Sequence, residues 1–173
     1  MMLRHTVIQS PIGEIALVAD TQDGVDCLVG VYFRGGKQRA DDADGQLVAI
    51  ADDDFLDGAA RQLAEYFDGA REIFELPVAL RGNNFQKSVW DLIAAIDYGR
   101  TRTYGELAAD LGSVGLAQAV GRAAGQNPVG IVVGCHRVVG SDGKLVGYAG
   151  GMERKRFLLE LEEPADVREA RLF

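Results

Sequence analysis

Cysteine is scarce in this chain of 173 residues: there are two, Cys27 and Cys135, beside two histidines, four prolines and one tryptophan. Two cysteines cannot build a disulfide framework, and a free thiol suits a reducing compartment. A tetrahedral metal site needs four ligands, and His5, Cys27, Cys135 and His136 show no paired ligand spacing, so no metal is expected. An apolar run of about 18 residues is also missing, as is a charged-then-apolar N-terminal signal. The expectation is a cytosolic protein with no membrane segment.

Positive charge is in short supply overall, with a net charge of −8. Its distribution is uneven. Residues 1–80 hold 15 acidic and 6 basic side chains, a balance of −9, whereas residues 81–157 hold 6 acidic and 10 basic, a balance of +4. The split suggests an acidic scaffold joined to a segment that can approach phosphates. A balance of +4 is also ordinary for a soluble domain, so charge alone leaves DNA binding open. The acidic stretch from Asp41 to Asp57 reads as solvated surface.

Glycine is plentiful and punctuates the pattern. Thr6–Ile8, a Ser10-Pro11-Ile12-Gly13 turn and Glu14–Ala19 read as strand, turn, strand; Asp23-Gly24 marks a second turn before a strand from Val25 to Phe33. An antiparallel sheet of about three strands follows. Gly35–Asp54 reads as a loop, and Ala59–Phe67 as a helix stopped by Gly69. Leu76-Pro77-Val78 and Gly82 form a linker, which divides the chain into residues 1–80 and 81–173.

The second part reads as mostly helical. Asn84 is placed to cap a helix carrying Phe85, Val89, Trp90, Ile93 and Ile96 on one face. Thr103 caps the next helix, and Glu106 completes a capping box. A Ser113-Val114-Gly115 turn leads to a small-residue helix from Leu116 to Gly125, which is the helix-turn-helix pattern. A Ser141-Asp142-Gly143 turn, a glycine-rich loop and a helix from Glu153 to Glu162 would add a wing.

Between these helices Ile131-Val132-Val133, bounded by Gly130 and Gly134, reads as a short buried strand that delivers Cys135 and His136 side by side. A rigidly held thiol beside an imidazole can be activated as a nucleophile. A lone buried cysteine, however, more often packs as a small hydrophobe.

Gly134-Cys135-His136-Arg137-Val138 resembles the Pro-Cys-His-Arg-Val hallmark of the alkylguanine-DNA alkyltransferases, the methylated-DNA–protein-cysteine methyltransferases. Further matches run in order along essentially the whole chain: Ser10-Pro11-Ile12-Gly13, Phe85-Gln86 with Val89-Trp90, Thr103 to Ala108, Ala119-Val120-Gly121, Asn127-Pro128, Gly147-Tyr148 with Gly150-Gly151, and Lys155 to Glu162. The resemblance implies an N-terminal ribonuclease-H-like α/β domain followed by a mainly α, winged helix-turn-helix domain. It also implies single-turnover repair: an alkylated guanine in double-stranded DNA is flipped out, and the alkyl group moves from oxygen-6 (or oxygen-4 of thymine) to cysteine. No cofactor is implied, and the protein would act as a monomer.

By position in these motifs, Glu162 resembles the carboxylate that orients His136, giving a relay Glu162–His136–water–Cys135. Tyr148 resembles the tyrosine that bonds N3 of the base, the Ala149 N–H would meet oxygen-6, and the Cys135 and Val138 carbonyls would accept from the guanine amine. Asn127 resembles the asparagine tying the helix-turn-helix to the cysteine strand, and Tyr104 would press on the neighbouring phosphate. Two departures stand out. Gln118 occupies the place of the arginine that fills the vacated stack, with Arg122 one turn away, and Gly134 replaces proline. Two other readings stay open: a lesion binder without chemistry, like the alkyltransferase-like proteins, which lack the cysteine, and a thiol acceptor acting on small molecules, with DNA binding weakened at Gln118 and Gly134.

Overall fold

In the computed structural model, which describes residues 2–35 and 45–171, the first half is a sheet with one helix against it. Strands β1 (Arg4–Ile8), β2 (Ile15–Gln22) and β3 (Val25–Phe33) are antiparallel neighbours joined by the two expected turns. The second turn holds Asp23 at φ 51 and Gly24 at φ 80, the left-handed pair that an Asp-Gly hairpin supplies at least cost. The sheet has a fourth member. Strand β4 (Gln46–Leu47) pairs parallel with β1, so the order is β3-β2-β1-β4 and the sheet is mixed. Two residues leave no periodicity to read, which is why sequence gives a loop there; residues 36–44 of that expected loop, and Asp41, Asp42 and Asp44 of the acidic stretch, lie outside the described residues.

Helix α1 (Asp54–Phe67) begins five residues before the predicted Ala59. Asp53 caps it, its side chain accepting from the Leu56 N–H at 2.9 Å, and Asp54 and Asp57 occupy the first turn, where the helix dipole favours anions. The acidic run is therefore partly a helix start rather than simple surface, and Asp53 also pairs with Arg4 of β1. Leu56, Ala59, Leu63 and Tyr66 form the buried face of α1.

Residues 76–80 lie along β3, with Leu28 N–H donating to Pro77 O at 2.8 Å and Ala79 N–H to Leu28 O at 3.0 Å. Helix α2 (Asn84–Ala94) is capped by Asn83, not Asn84: Asn83 accepts from the Gln86 N–H at 2.8 Å while Gln86 accepts from the Asn83 N–H at 2.9 Å. Only the earlier asparagine can form this reciprocal box with Gln86 three residues on. After the short strand β5 (Arg102–Thr103), Thr103 caps helix α3 (Tyr104–Asp110) through the Glu106 N–H. The other half of the expected box is missing because the Glu106 carboxylate reaches Arg102 instead.

A 3-10 turn, Val114–Leu116, leads into helix α4 (Ala117–Gly125), completing the helix-turn-helix. Trp90 fixes α4 against α2 by donating to Ala123 O at 2.8 Å. Strand β6 (Val138–Val139) pairs parallel with β5, and a Gly140–Lys144 turn stands where a wing ribbon was expected. Helices α5 (Met152–Glu162) and α6 (Ala165–Arg171) follow, the latter in what reads from sequence as a charged tail. Among the described residues no helix is long and apolar enough to cross a membrane.

Candidate active site

The expected Ile131–Val133 strand is not one. Pro128 and Val129 do extend the edge of β3, with the Val31 N–H donating to Pro128 O at 2.8 Å. The chain then coils. Ile131 sits at φ 71, and the Val132 N–H donates to Gly130 O at 2.9 Å, a γ-type turn. A β-branched residue in that region costs roughly 1–3 kcal/mol, so surrounding contacts must hold it. Gly134, at φ −75 and ψ 61, centres an inverse γ-turn closed by Cys135 N–H to Val133 O at 2.8 Å. Burial is as expected, but a short apolar run does not reveal its own period.

Asn127 braces this coil from the end of α4. Its amide donates to Val133 O at 2.8 Å, and its carbonyl accepts from the Val129 N–H at 3.0 Å. Cys135 therefore leaves the coil at a fixed angle and opens a 3-10 turn, Cys135–Arg137. The φ at Gly134 already lies where proline would hold it, so the substitution leaves the local conformation in place. A Cβ at Gly134 would approach the Arg137 side chain at 3.0 Å.

Behind the thiol lies a buried ionic cluster. His136 Nε2 contacts Glu162 Oε2 directly. Arg137 donates to Glu162 Oε1 from Nε at 2.7 Å and to Oε2 from Nη2 at 3.2 Å, and to Ile96 O at 2.8 Å. The Tyr66 hydroxyl donates to Glu162 Oε2 at 2.5 Å across the two halves of the chain. Burial opposes ionisation of Glu162, yet the hydrogen bonds from His136 and Arg137 and the charge of Arg137 override it and hold the carboxyl at about 2. Burial also lowers the His136 pKa, against the pull of Glu162, and so keeps the ring neutral. A neutral ring facing a carboxylate must donate from Nε2, which leaves Nδ1 as a bare acceptor. Nδ1 is buried and, among the described residues, has no hydrogen-bond partner.

Burial pushes the Cys135 thiol up, while the Asn127 side chain and the charge of Lys155 pull it down. Lys155 has no exposed surface. Its Nζ donates to Val138 O at 2.6 Å, Val146 O at 2.8 Å and Gly147 O at 3.1 Å, and burial brings its pKa down to about 8. One lone pair of the Val138 carbonyl is thus already engaged. In front of the thiol a small apolar pocket is bounded by Phe33, Gly130, Tyr148 and Ala149. The Tyr148 hydroxyl is buried and has no hydrogen-bond partner among the described residues, and burial raises its pKa well above that of a free phenol.

The remaining predicted residues lie on the helix-turn-helix. Gln118 and Arg122 are both exposed on α4, one turn apart. Tyr104 starts α3, and its hydroxyl donates to Val146 O at 3.0 Å. Three participants escape the sequence reading: Tyr66, Arg137 and Lys155. Lys155 had a readable signal. With Leu158 and Glu162 it falls at i, i+3 and i+7, which puts two charges on the buried face of one helix.

Known proteins are similar to this chain along most of its length. The model of the 6-O-methylguanine DNA methyltransferase ribonuclease-like domain matches residues 3–80, and that of the DNA-binding domain of the same family matches residues 84–164. A methylated-DNA–protein-cysteine methyltransferase of Methanosarcina barkeri is 47% identical over 160 residues, 92% of this chain and 96% of that protein. One of Methanosarcina acetivorans is 42% identical over 158 residues, 91% of this chain and 97% of that protein. The crystal structure of Mycobacterium tuberculosis OGT in complex with DNA superposes with a TM-score of 0.80 at 40% identity, covering 95% of this chain and 97% of that one.

Proposed function

The chain belongs to the O6-methylguanine DNA methyltransferase family, and from that premise we propose that it repairs DNA by moving an alkyl group from oxygen-6 of a flipped guanine to Cys135 Sγ. The observation that carries the assignment of roles is His136: one ring nitrogen is committed to Glu162 and the other is buried without a hydrogen-bond partner among the described residues. Adjacent side chains diverge, so a water bridges Nδ1 and Sγ and passes the thiol proton to the ring. The new S–C bond forms as the C–O6 bond breaks, and the electron pair leaves with guanine. The Tyr148 hydroxyl and the Ala149 N–H meet that developing charge at N3 and oxygen-6, while the Cys135 and Val138 carbonyls accept from the base amine. The sulfur nucleophile and the alkyl electrophile balance the electrons between them, so no cofactor takes part. The thioether is stable and each molecule acts once.

The protein acts on double-stranded DNA, as a cytoplasmic monomer, with α4 entering a groove. Asn127 serves as the brace that keeps the thiol in register with α4, and Tyr104 presses the phosphate beside the flipped nucleotide once its bond to Val146 is exchanged. Intact mass after incubation with methylated duplex DNA, and separately with free benzylguanine, tests the reaction. Transfer predicts a gain of about 14 Da from the duplex. No gain from either substrate would establish a binder without chemistry, and a gain from benzylguanine alone a small-molecule acceptor.

Gln118 faces the stack in this reading, with Arg122 one turn further along. A flipped base leaves a hole whose unstacking costs a few kcal/mol, and glutamine fills it less well than arginine. Gln118→Arg is expected to accelerate methyl transfer from duplex DNA by roughly tenfold, to steepen the salt dependence of binding by one added charge, and to leave the reaction with free benzylguanine unchanged. Equal changes in both reactions would remove residue 118 from the DNA interface.

A further inference from the structure

We infer that Phe33, a residue of the ribonuclease-like half, sets the size of the alkyl group that Cys135 accepts. The inference rests on the alkyl-transfer reading above and adds a specificity determinant to it. Strand β3 carries the cysteine coil on its edge, since the Val31 N–H bonds to Pro128 O at 2.8 Å and Val31 bridges Val129. Two residues on from Val31, and therefore on the same face of the strand, Phe33 forms one wall of the pocket in front of Cys135. Gly130, Tyr148 and Ala149 line the same pocket. The rings of Phe33 and Tyr148 lie 6.1 Å apart at 54°.

The phenylalanine takes space that side chains on the facing backbone would need. A Cβ on Gly150 would lie 2.9 Å from its ring, and one on Gly130 would lie 3.6 Å from both the ring and the Tyr148 hydroxyl. The wall is also fixed. The Arg154 guanidinium sits 5.2 Å from the Phe33 ring centroid and donates to Ile12 O at 2.8 Å, Arg34 O at 2.8 Å and Gly150 O at 2.9 Å. One arginine thus ties the end of β3, the β1–β2 turn and the tyrosine loop together. A base held by Tyr148 and Ala149 presents its oxygen-6 substituent to Sγ, and any atoms beyond the first carbon run into this apolar wall. Methyl clears it; longer groups press on the Phe33 ring, and an aromatic substituent requires the ring to move.

Phe33→Leu and Phe33→Trp separate this role from simple packing. Single-turnover rates are measured on duplexes carrying one O6-methylguanine or one O6-benzylguanine, alongside the unchanged protein. The benzyl-to-methyl rate ratio is expected to rise about tenfold with leucine and to fall about tenfold with tryptophan, the scale of a shape change in an apolar pocket. A purely structural role would slow both substrates in step. Ratios within about twofold of the unchanged protein overturn the inference, and so does a fall in the leucine variant. Leucine alone decides the matter if tryptophan prevents folding, because it shortens the side chain without adding a polar group. Failure of the underlying reading looks different: the unchanged protein would take no methyl group from its duplex.

Discussion

Cys135→Ala abolishes alkyl transfer from methylated duplex DNA, whereas Cys27→Ala leaves it intact: that is the expected result with the largest effect. Cys135 is the thiol in the pocket, with His136 behind it and Tyr148 in front. Cys27 lies on β3 and is absent from that pocket's lining. Alanine in place of Cys135 removes the nucleophile; the Lys155 amine, though its pKa is brought down to about 8, is tied to the Val138, Val146 and Gly147 carbonyls, and burial pushes the Tyr148 phenol away from ionisation. DNA affinity should change little, because the thiol presents only 6% of its surface. Intact mass reads the transfer, and fluorescence anisotropy on an unreactive duplex reads the binding. Residual transfer in the Cys135 variant would move the acceptor elsewhere.

Glu162→Gln should cost both activity and stability. The carboxylate takes bonds from Tyr66, His136 and two atoms of Arg137, and the Gly99 N–H approaches it at 3.4 Å. Without its charge the buried guanidinium of Arg137 loses its counter-ion, and breaking such a pair costs about 3–5 kcal/mol. His136 loses the partner that fixes its tautomer, and a general base so impaired slows transfer by roughly 10²-fold or more. Urea unfolding at neutral pH and single-turnover kinetics measure the two effects. The pH profile gives a third reading. The folded-state pKa of Glu162 is depressed from 4.5 to about 2, so its stabilisation is present above 4.5 and disappears as pH falls towards 2. His136 is depressed as well, so its contribution carries the same sign and begins to fall below pH 6.5. The glutamine variant should lose Glu162's share of the limb between 4.5 and 2, keep the part that Asp20 and Asp53 supply through their own lowered pKa values, and keep the limb that begins at 6.5. An unchanged acid limb would place the titration on other carboxylates.

Sequence is most legible where one residue type meets one geometric need. Asp23-Gly24 names its hairpin, Thr103 names its cap, and the apolar stripe of α2 names its buried face. It is least legible where a residue serves two purposes. The aspartates at 53, 54 and 57 look like surface and are also a helix start. Ile131 to Val133 look like a strand because they are buried and β-branched, yet a left-handed φ at Ile131 turns them into a coil held by Asn127, the edge of β3 and the core around it. The candidate site divides the same way. Cys135, His136 and Glu162 follow from motif order, since their chemistry is carried by their own side chains. Tyr66 lies on a helical apolar stripe and reads as core, because nothing local tells that its hydroxyl meets a carboxylate 96 residues away.

That bond between Tyr66 and Glu162 limits how such a chain can diverge. Replacing the first 80 residues with those of another protein would leave the Glu162 carboxylate without this donor unless the incoming helix presents a phenol at the same height, so a chimaera is expected to need a matched residue at position 66.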